Sequence, residues 1–110
     1  MAFVKVATTD QFEDGDRIVI EVGETWVAIF KVDGRYYAVE DICTHDDGPL
    51  ADGELHTDST EPVIECPRHG ARFSLETGKP TFPAVVPVER YEVKIDGDDI
   101  SIDPDNPINK

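Results

Sequence analysis

The sequence predicts an all-β fold, an antiparallel sandwich or partly open barrel. Three observations carry that expectation. Short runs of β-branched and aromatic residues recur along the chain, turn residues separate them at close intervals, and only one brief stretch has helical character. At 110 residues the chain is long enough for one domain with a real core and too short for two.

Each element has its own local signal. Met1-Ala2-Phe3-Val4-Lys5 begins strand-like alternation almost at once. It lacks a charged region followed by an apolar stretch and a cleavage site, so no export signal is expected. Thr8-Thr9-Asp10-Gln11-Phe12 predicts one helical turn, with Thr8 or Thr9 as its cap. Arg17–Val22 predicts a strand that ends at Gly23-Glu24. Thr25–Val32 is the strongest strand, and Trp26 is expected in the core with Val27, Ile29 and Phe30. Asp33-Gly34 then Arg35–Val39 completes a two-residue hairpin signal. Pro62–Glu65 and Ala71–Leu75 predict two shorter strands. Tyr91–Ile95 and Asp99–Ile102 flank Asp96-Gly97, a second hairpin. These elements define one domain over residues 1–103. The remainder, 104–110, holds two prolines and little to bury, and is expected to form a flexible tail.

Composition narrows the function classes. The formal net charge is −14, from 24 acidic and 10 basic side chains. Phosphates would be repelled by such a surface, which argues against nucleic acid as a partner. No apolar run approaches the roughly 18 residues that a membrane helix needs, so a soluble cytoplasmic protein is expected. The acidic surface fits either simple solvation or steering toward a basic docking face. No nucleophile–base pair, phosphate-cradling loop or paired-carboxylate site is visible, and no substrate chemistry of its own is expected.

The two cysteines each have a histidine close by. Cys43-Thr44-His45 forms one box and Cys66-Pro67-Arg68-His69 the other, with about twenty residues between them. Each box offers a soft thiolate and a borderline imidazole at the start of a Gly/Pro-rich loop, where ligands can turn inward without backbone strain. A lone structural disulfide is not expected in a reducing compartment. Two thiolates and two imidazoles suit a tetrahedral zinc or a dinuclear iron–sulfur centre with histidines replacing cysteines on one iron. Common zinc sites pair like ligands in a knuckle and a helix turn, whereas each box here mixes the types, which favours the dinuclear centre. His56 has no cysteine neighbour and is expected on a surface loop.

The pattern Cys-x-His, about twenty residues, Cys-x-x-His resembles the fingerprint of Rieske-type ferredoxins. The flanking residues agree: Cys43–Gly53 and Cys66–Phe73 look like the two cluster loops, over about 43–53 and 66–75. Thr77-Gly78-Lys79 and Phe82-Pro83-Ala84 match the family's next segment, in which a proline loop covers a third side of the cluster. The similarity runs from about Phe3 to Ile102. It implies a Rieske-type sandwich with a small cluster-binding subdomain formed by two loops. It also implies one [2Fe–2S] cluster, with Cys43 and Cys66 on the buried iron and His45 and His69 on the outer iron. Respiratory and photosynthetic Rieske proteins carry an additional cysteine in each loop, joined as a disulfide. Gly48 and Arg68 occupy those places here. High-potential members also place a serine and a tyrosine hydroxyl toward sulfur, where this chain has Ala71 and Phe73. Without those donors the added electron is less stabilised, and the potential should lie toward the low end of roughly −150 to +300 mV.

The resemblance therefore implies a small electron carrier, not an enzyme. Such a ferredoxin takes single electrons from a flavin-containing reductase to a terminal non-haem iron oxygenase, through transient contacts, as a diffusing monomer. Exposed imidazole edges would give the electron its exit, and a proton taken up at a free imidazole nitrogen would offset the added charge. Two alternatives stand beside it: a small Rieske-like subunit of a nitrite reductase or other redox complex, and a structural zinc module.

Overall fold

Alternating apolar residues and tight turns decide how the strands pair. The computed structural model describes residues 3–44, 48–57, 61–68 and 70–108. Strand β1 (Val4–Thr8) leads into a single 3-10 turn, Thr9–Gln11, where the Gln11 side-chain carbonyl accepts the Thr8 N–H at 2.7 Å. A meander comes next, made of β2 (Arg17–Val22), β3 (Thr25–Val32) and β4 (Arg35–Glu40). Its second turn is Asp33-Gly34 with φ of 52° and 79°, the left-handed pair that a twisted two-residue hairpin requires. After a long loop come β5 (Leu55–His56), β6 (Val63–Glu65) and β7 (Arg72–Ser74). The chain closes with β8 (Arg90–Tyr91), β9 (Val93–Asp96) and β10 (Asp99–Ile102).

Among the described residues the strands form three antiparallel sheets, ordered β1-β10-β9, β2-β3-β4-β8 and β5-β6-β7. All are open, so the architecture is a layered sandwich and not a closed barrel. Strand β3 lies at its centre and is buried on both faces, with Val27, Ala28, Ile29 and Phe30 all fully inaccessible. Val27 and Ile29 pack with Ala7, Phe12, Ile100 and Ile102 of the first sheet and its turn. Ala28 and Phe30 pack the other way, into a core that holds Ile64 and Phe73 of the third sheet together with both cysteines. Burying each fully enclosed Val, Ile or Phe side chain stabilises the fold by about 1.5–3 kcal/mol, so β3 is the strand on which both layers depend.

Three local expectations change. Trp26 shares the face of Ala28 and Phe30 but is 53% exposed. It is the second residue of β3, opposite Glu21, where the covering layer has ended. The second hairpin turns one residue later than expected, because Asp96 stays in β9 opposite Asp99 and Gly97, with φ of 63°, opens the turn. Strand β5 escapes a periodicity reading because it is two residues long and exists through its pairing with β6. Beyond β10, the buried Asp103 carboxylate accepts from Asp105 N–H at 3.2 Å and the Asn106 amide at 2.9 Å, and Ile108 N–H reaches Arg90 C=O at 2.8 Å. Among the described residues, no helix is long and apolar enough to cross a membrane.

Candidate metal centre

The first loop, between β4 and β5, is folded by its own peptide groups. Asp41 N–H extends the ladder to Trp26 C=O at 2.8 Å, and Cys43 N–H then turns back to Gly48 C=O at 2.7 Å. One Asp41 carboxylate oxygen accepts from both Leu50 N–H at 2.9 Å and Ala51 N–H at 2.7 Å, so a single side chain ties the far limb of the loop to its entry. From β2, an Arg17 guanidinium nitrogen donates to Ala51 C=O at 2.8 Å and Gly53 C=O at 2.6 Å.

The second loop, between β6 and β7, repeats the same closure. Cys66 N–H donates to Ala71 C=O at 2.6 Å, again five residues on, and Gly70 N–H returns to Cys66 C=O at 3.1 Å. Gly70 has φ of 74°, a left-handed conformation that costs glycine nothing and a β-carbon about 1–2 kcal/mol. The two loops touch where Gly53 passes the Glu65 backbone: a β-carbon at position 53 would stand 1.6 Å from Glu65 O. Glu65 N–H donates to Glu54 C=O at 2.9 Å beside that contact.

A third segment closes the group. Thr81 is bonded to Arg72 in both directions at 2.8 Å, and Thr44 Oγ1 donates to Val86 C=O at 2.6 Å, so residues 81–87 are fastened to the bases of both loops. The Phe82–Pro83 peptide is cis. Ala84 faces the core, while Phe82, Val85 and Val86 are 87%, 79% and 54% exposed. Beside them a groove of about 300 Å³ is lined by Glu40, Ile42, Thr44, Val86, Pro87 and Glu89. Partial burial and then the Glu89 charge raise the Glu40 pKa. Burial, with the same two carboxylates, also raises that of Tyr91.

Cys43 and Cys66 form no disulfide and are 0% and 1% exposed, within one apolar core that includes Leu50, Ala51, Ala71, Phe73 and Ala84. Two different loops thus deliver two buried sulfurs to a single core, with each cysteine's own N–H already satisfied inside its loop. That donor set suits a soft metal centre. His45 and His69 lie outside the described residues, as do Asp46 and Asp47. His56 is not on a loop: it belongs to β5, and its Nε2 stands 2.8 Å from Glu65 Oε1. Arg72 Nε donates to the same oxygen at 3.2 Å. The hydrogen bond with His56, joined by the Arg72 charge, lowers the Glu65 pKa despite partial desolvation.

Sequence reasoning passed over Asp41, Gly53, Glu65 and Arg72. Only the last two left a readable signal. Opposite charges flank the second box directly outside the positions whose peptide groups close its loop, and a hairpin closed there must set them face to face.

The profile of the Rieske [2Fe–2S] domain matches residues 2–92 of the chain. The chain belongs to the Rieske [2Fe–2S] family. Among its Rieske relatives, the ferredoxin component of biphenyl 2,3-dioxygenase from Rhodococcus jostii (strain RHA1) is 35% identical over 104 residues, covering 94% of each chain. The ferredoxin subunit of 3-phenylpropionate/cinnamic acid dioxygenase from Escherichia coli (strain K12) is 38% identical over 91 residues, 82% of each chain. Among solved structures, the ferredoxin of carbazole 1,9a-dioxygenase from Nocardioides aromaticivorans IC177 superposes with a TM-score of 0.86 at 36% identity. It covers 94% of this chain and 99% of that one. A chain of the complex of reduced oxygenase and oxidised ferredoxin in carbazole 1,9a-dioxygenase gives 0.81 at 33% identity, over 91% of each. The small subunit of an NADH-dependent nitrite reductase from Mycobacterium tuberculosis reaches 0.81 at 17% identity, a likeness of fold.

Proposed function

We propose that this chain is the soluble, low-potential ferredoxin component of a multicomponent ring-hydroxylating oxygenase, a cytoplasmic monomer with one [2Fe–2S] cluster and no catalytic activity of its own. Cys43 and Cys66 provide the two thiolates, and His45 and His69 the two imidazoles. The observation that carries this reading is the pair of matched loops. Each starts at a buried cysteine outside any disulfide, closes through the same hydrogen bond five residues on, and brings its cysteine into one shared core. Relatives named as dioxygenase ferredoxins at 35% and 38% identity supply the context.

When bound, the cluster supplies a one-electron couple. The protein's part is to exclude water, to fix the ligands and to present a docking face. Leu50, Phe73 and Val88 close off the core around the cysteines. Ala71 and Phe73 put no hydroxyl there, which supports a potential toward the low end of the Rieske range. The exposed Phe82, Val85 and Val86 form an apolar contact face. Glu40 and Glu89 border it, and the net charge of −14 steers encounters toward partner surfaces with an apolar centre and basic surroundings. Those partners are a flavin-containing reductase and a terminal non-haem iron oxygenase, each bound transiently.

The test is stopped-flow mixing with an NADH-dependent flavin reductase and then with a Rieske-type terminal oxygenase. One electron should pass per ferredoxin at each step, with rates that fall as salt is raised. A Val85→Asp variant should keep its spectrum and lose most of its rate with at least one partner. A ferredoxin that neither accepts nor delivers the electron, or that purifies only in a fixed ratio with a large subunit, would contradict the carrier reading.

A further inference from the structure

Three charged or polar side chains cross the outer face of the third sheet at its loop end. Glu65 is the last residue of β6 and Arg72 the first of β7, and the two stand directly opposite. His56 pairs with Val63, which places it diagonally across from Glu65. Their neighbours Leu55, Ile64 and Phe73 pack on the opposite side, into the core of the cysteines. Glu65 Oε1 is gripped by His56 Nε2 at 2.8 Å and Arg72 Nε at 3.2 Å. The other oxygen, Oε2, reaches over the loop to within 3.9 Å of where a β-carbon on Gly70 would be.

This arrangement is placed to act on the loop electrostatically. The carboxylate is joined through one peptide to Cys66 and overhangs the residue that comes after His69. It is partly shielded from solvent, as is His56, so its field is less screened than that of a freely hydrated charge. As a plain surface ion pair it would add little stability. A fixed negative charge beside a redox centre disfavours an added electron, and a neighbouring cation offsets it.

We propose that Glu65 and Arg72, oriented by His56, form a charge couple whose two members shift the reduction potential of the centre held by the second loop in opposite directions. The inference rests on the assignment of Cys66 and His69 as cluster ligands. Glu65 pulls the potential down, Arg72 pulls it up, and the close pairing holds the two effects nearly in balance.

The experiment is spectroelectrochemical titration of the holoprotein at a fixed neutral pH, with iron content and visible absorption recorded for every variant. Glu65→Gln should raise the midpoint and Arg72→Gln should lower it. Arg72→Lys, which keeps the charge, should return most of the way to wild type, and the double Glu65→Gln/Arg72→Gln variant should lie close to wild type. Single-variant shifts in the same direction, or none, would overturn the couple while leaving the ligand assignment intact. Loss of the cluster from both single variants, with its return in the double variant, would also overturn it, since a brace alone would explain that pattern. A wild-type protein that takes up no iron–sulfur cluster would overturn the ligand assignment, and this inference with it.

Discussion

Replacing Gly53 by alanine should disrupt the junction of the two loops. The new β-carbon would lie 1.6 Å from Glu65 O and 2.8 Å from Glu65 C, both backbone atoms that no side-chain rotation can move aside. To reach ordinary contact the segments must part by roughly 2 Å, in an interior packed as densely as an organic crystal. Overpacking of this kind costs about 1–3 kcal/mol. Parting also stretches the 2.9 Å bond from Glu65 N–H to Glu54 C=O, worth about 1 kcal/mol. The total is about 2–4 kcal/mol. For a domain of this size each kcal/mol lowers Tm by about 4 °C, so a fall of about 8–16 °C is expected. Thermal unfolding followed by circular dichroism reads it directly. Gly97→Asn is the control, because that glycine has φ of 63° with nothing within 4 Å, and asparagine tolerates the left-handed region. Its stability should change by no more than about 0.5 kcal/mol. If Gly53→Ala melts within two or three degrees of wild type, the close approach of the loops is not what holds them.

Asp41→Ala removes the oxygen that accepts from both Leu50 N–H and Ala51 N–H. It should cost about 2–4 kcal/mol in denaturant unfolding, with Asp41→Asn, which keeps one carbonyl acceptor, recovering about half. Glu40→Gln should stabilise the protein and weaken docking. The raised Glu40 pKa means that the folded state holds this proton more tightly than the unfolded chain does. Stability is therefore lost as pH rises through that raised value. The variant should accordingly melt above wild type at pH 7. That advantage should vanish below the ordinary value of 4.5, where both side chains are neutral. At low ionic strength its reduction by the reductase should be slower than that of wild type.

The parts of the fold legible in the sequence were those set by local chemistry. Asp33-Gly34 needs two left-handed residues, and that pair is where such a turn is cheapest. The strands of the central meander matched expectation to within a residue at their ends. Burial of β3 on both faces was hidden, because an uninterrupted apolar run does not say which layers will cover it. The same gap misplaced Trp26: its neighbours are core, but the layer above stops short of it. Gly53 looked like any loop glycine until Glu65 arrived from a strand twelve positions away. The acceptor role of Asp41 likewise depends on a peptide segment nine or ten residues further on. The two cysteine boxes were conspicuous in sequence, and the structure adds that Cys43 and Cys66 enter one core from loops of like closure. His45 and His69 enter the proposal through their spacing from those cysteines.

The most direct test of the cluster assignment is the electron paramagnetic resonance spectrum of purified wild-type protein after dithionite reduction, with iron, sulfide and zinc quantified in the same sample. A [2Fe–2S] centre on these four ligands predicts a red-brown protein with two irons and two sulfides per chain. It should give a rhombic signal whose average g lies clearly below the free-electron value, as histidine ligation of one iron requires. A colourless, silent sample containing one zinc per chain, still silent after reconstitution with iron and sulfide, would contradict it and leave the four residues a structural role.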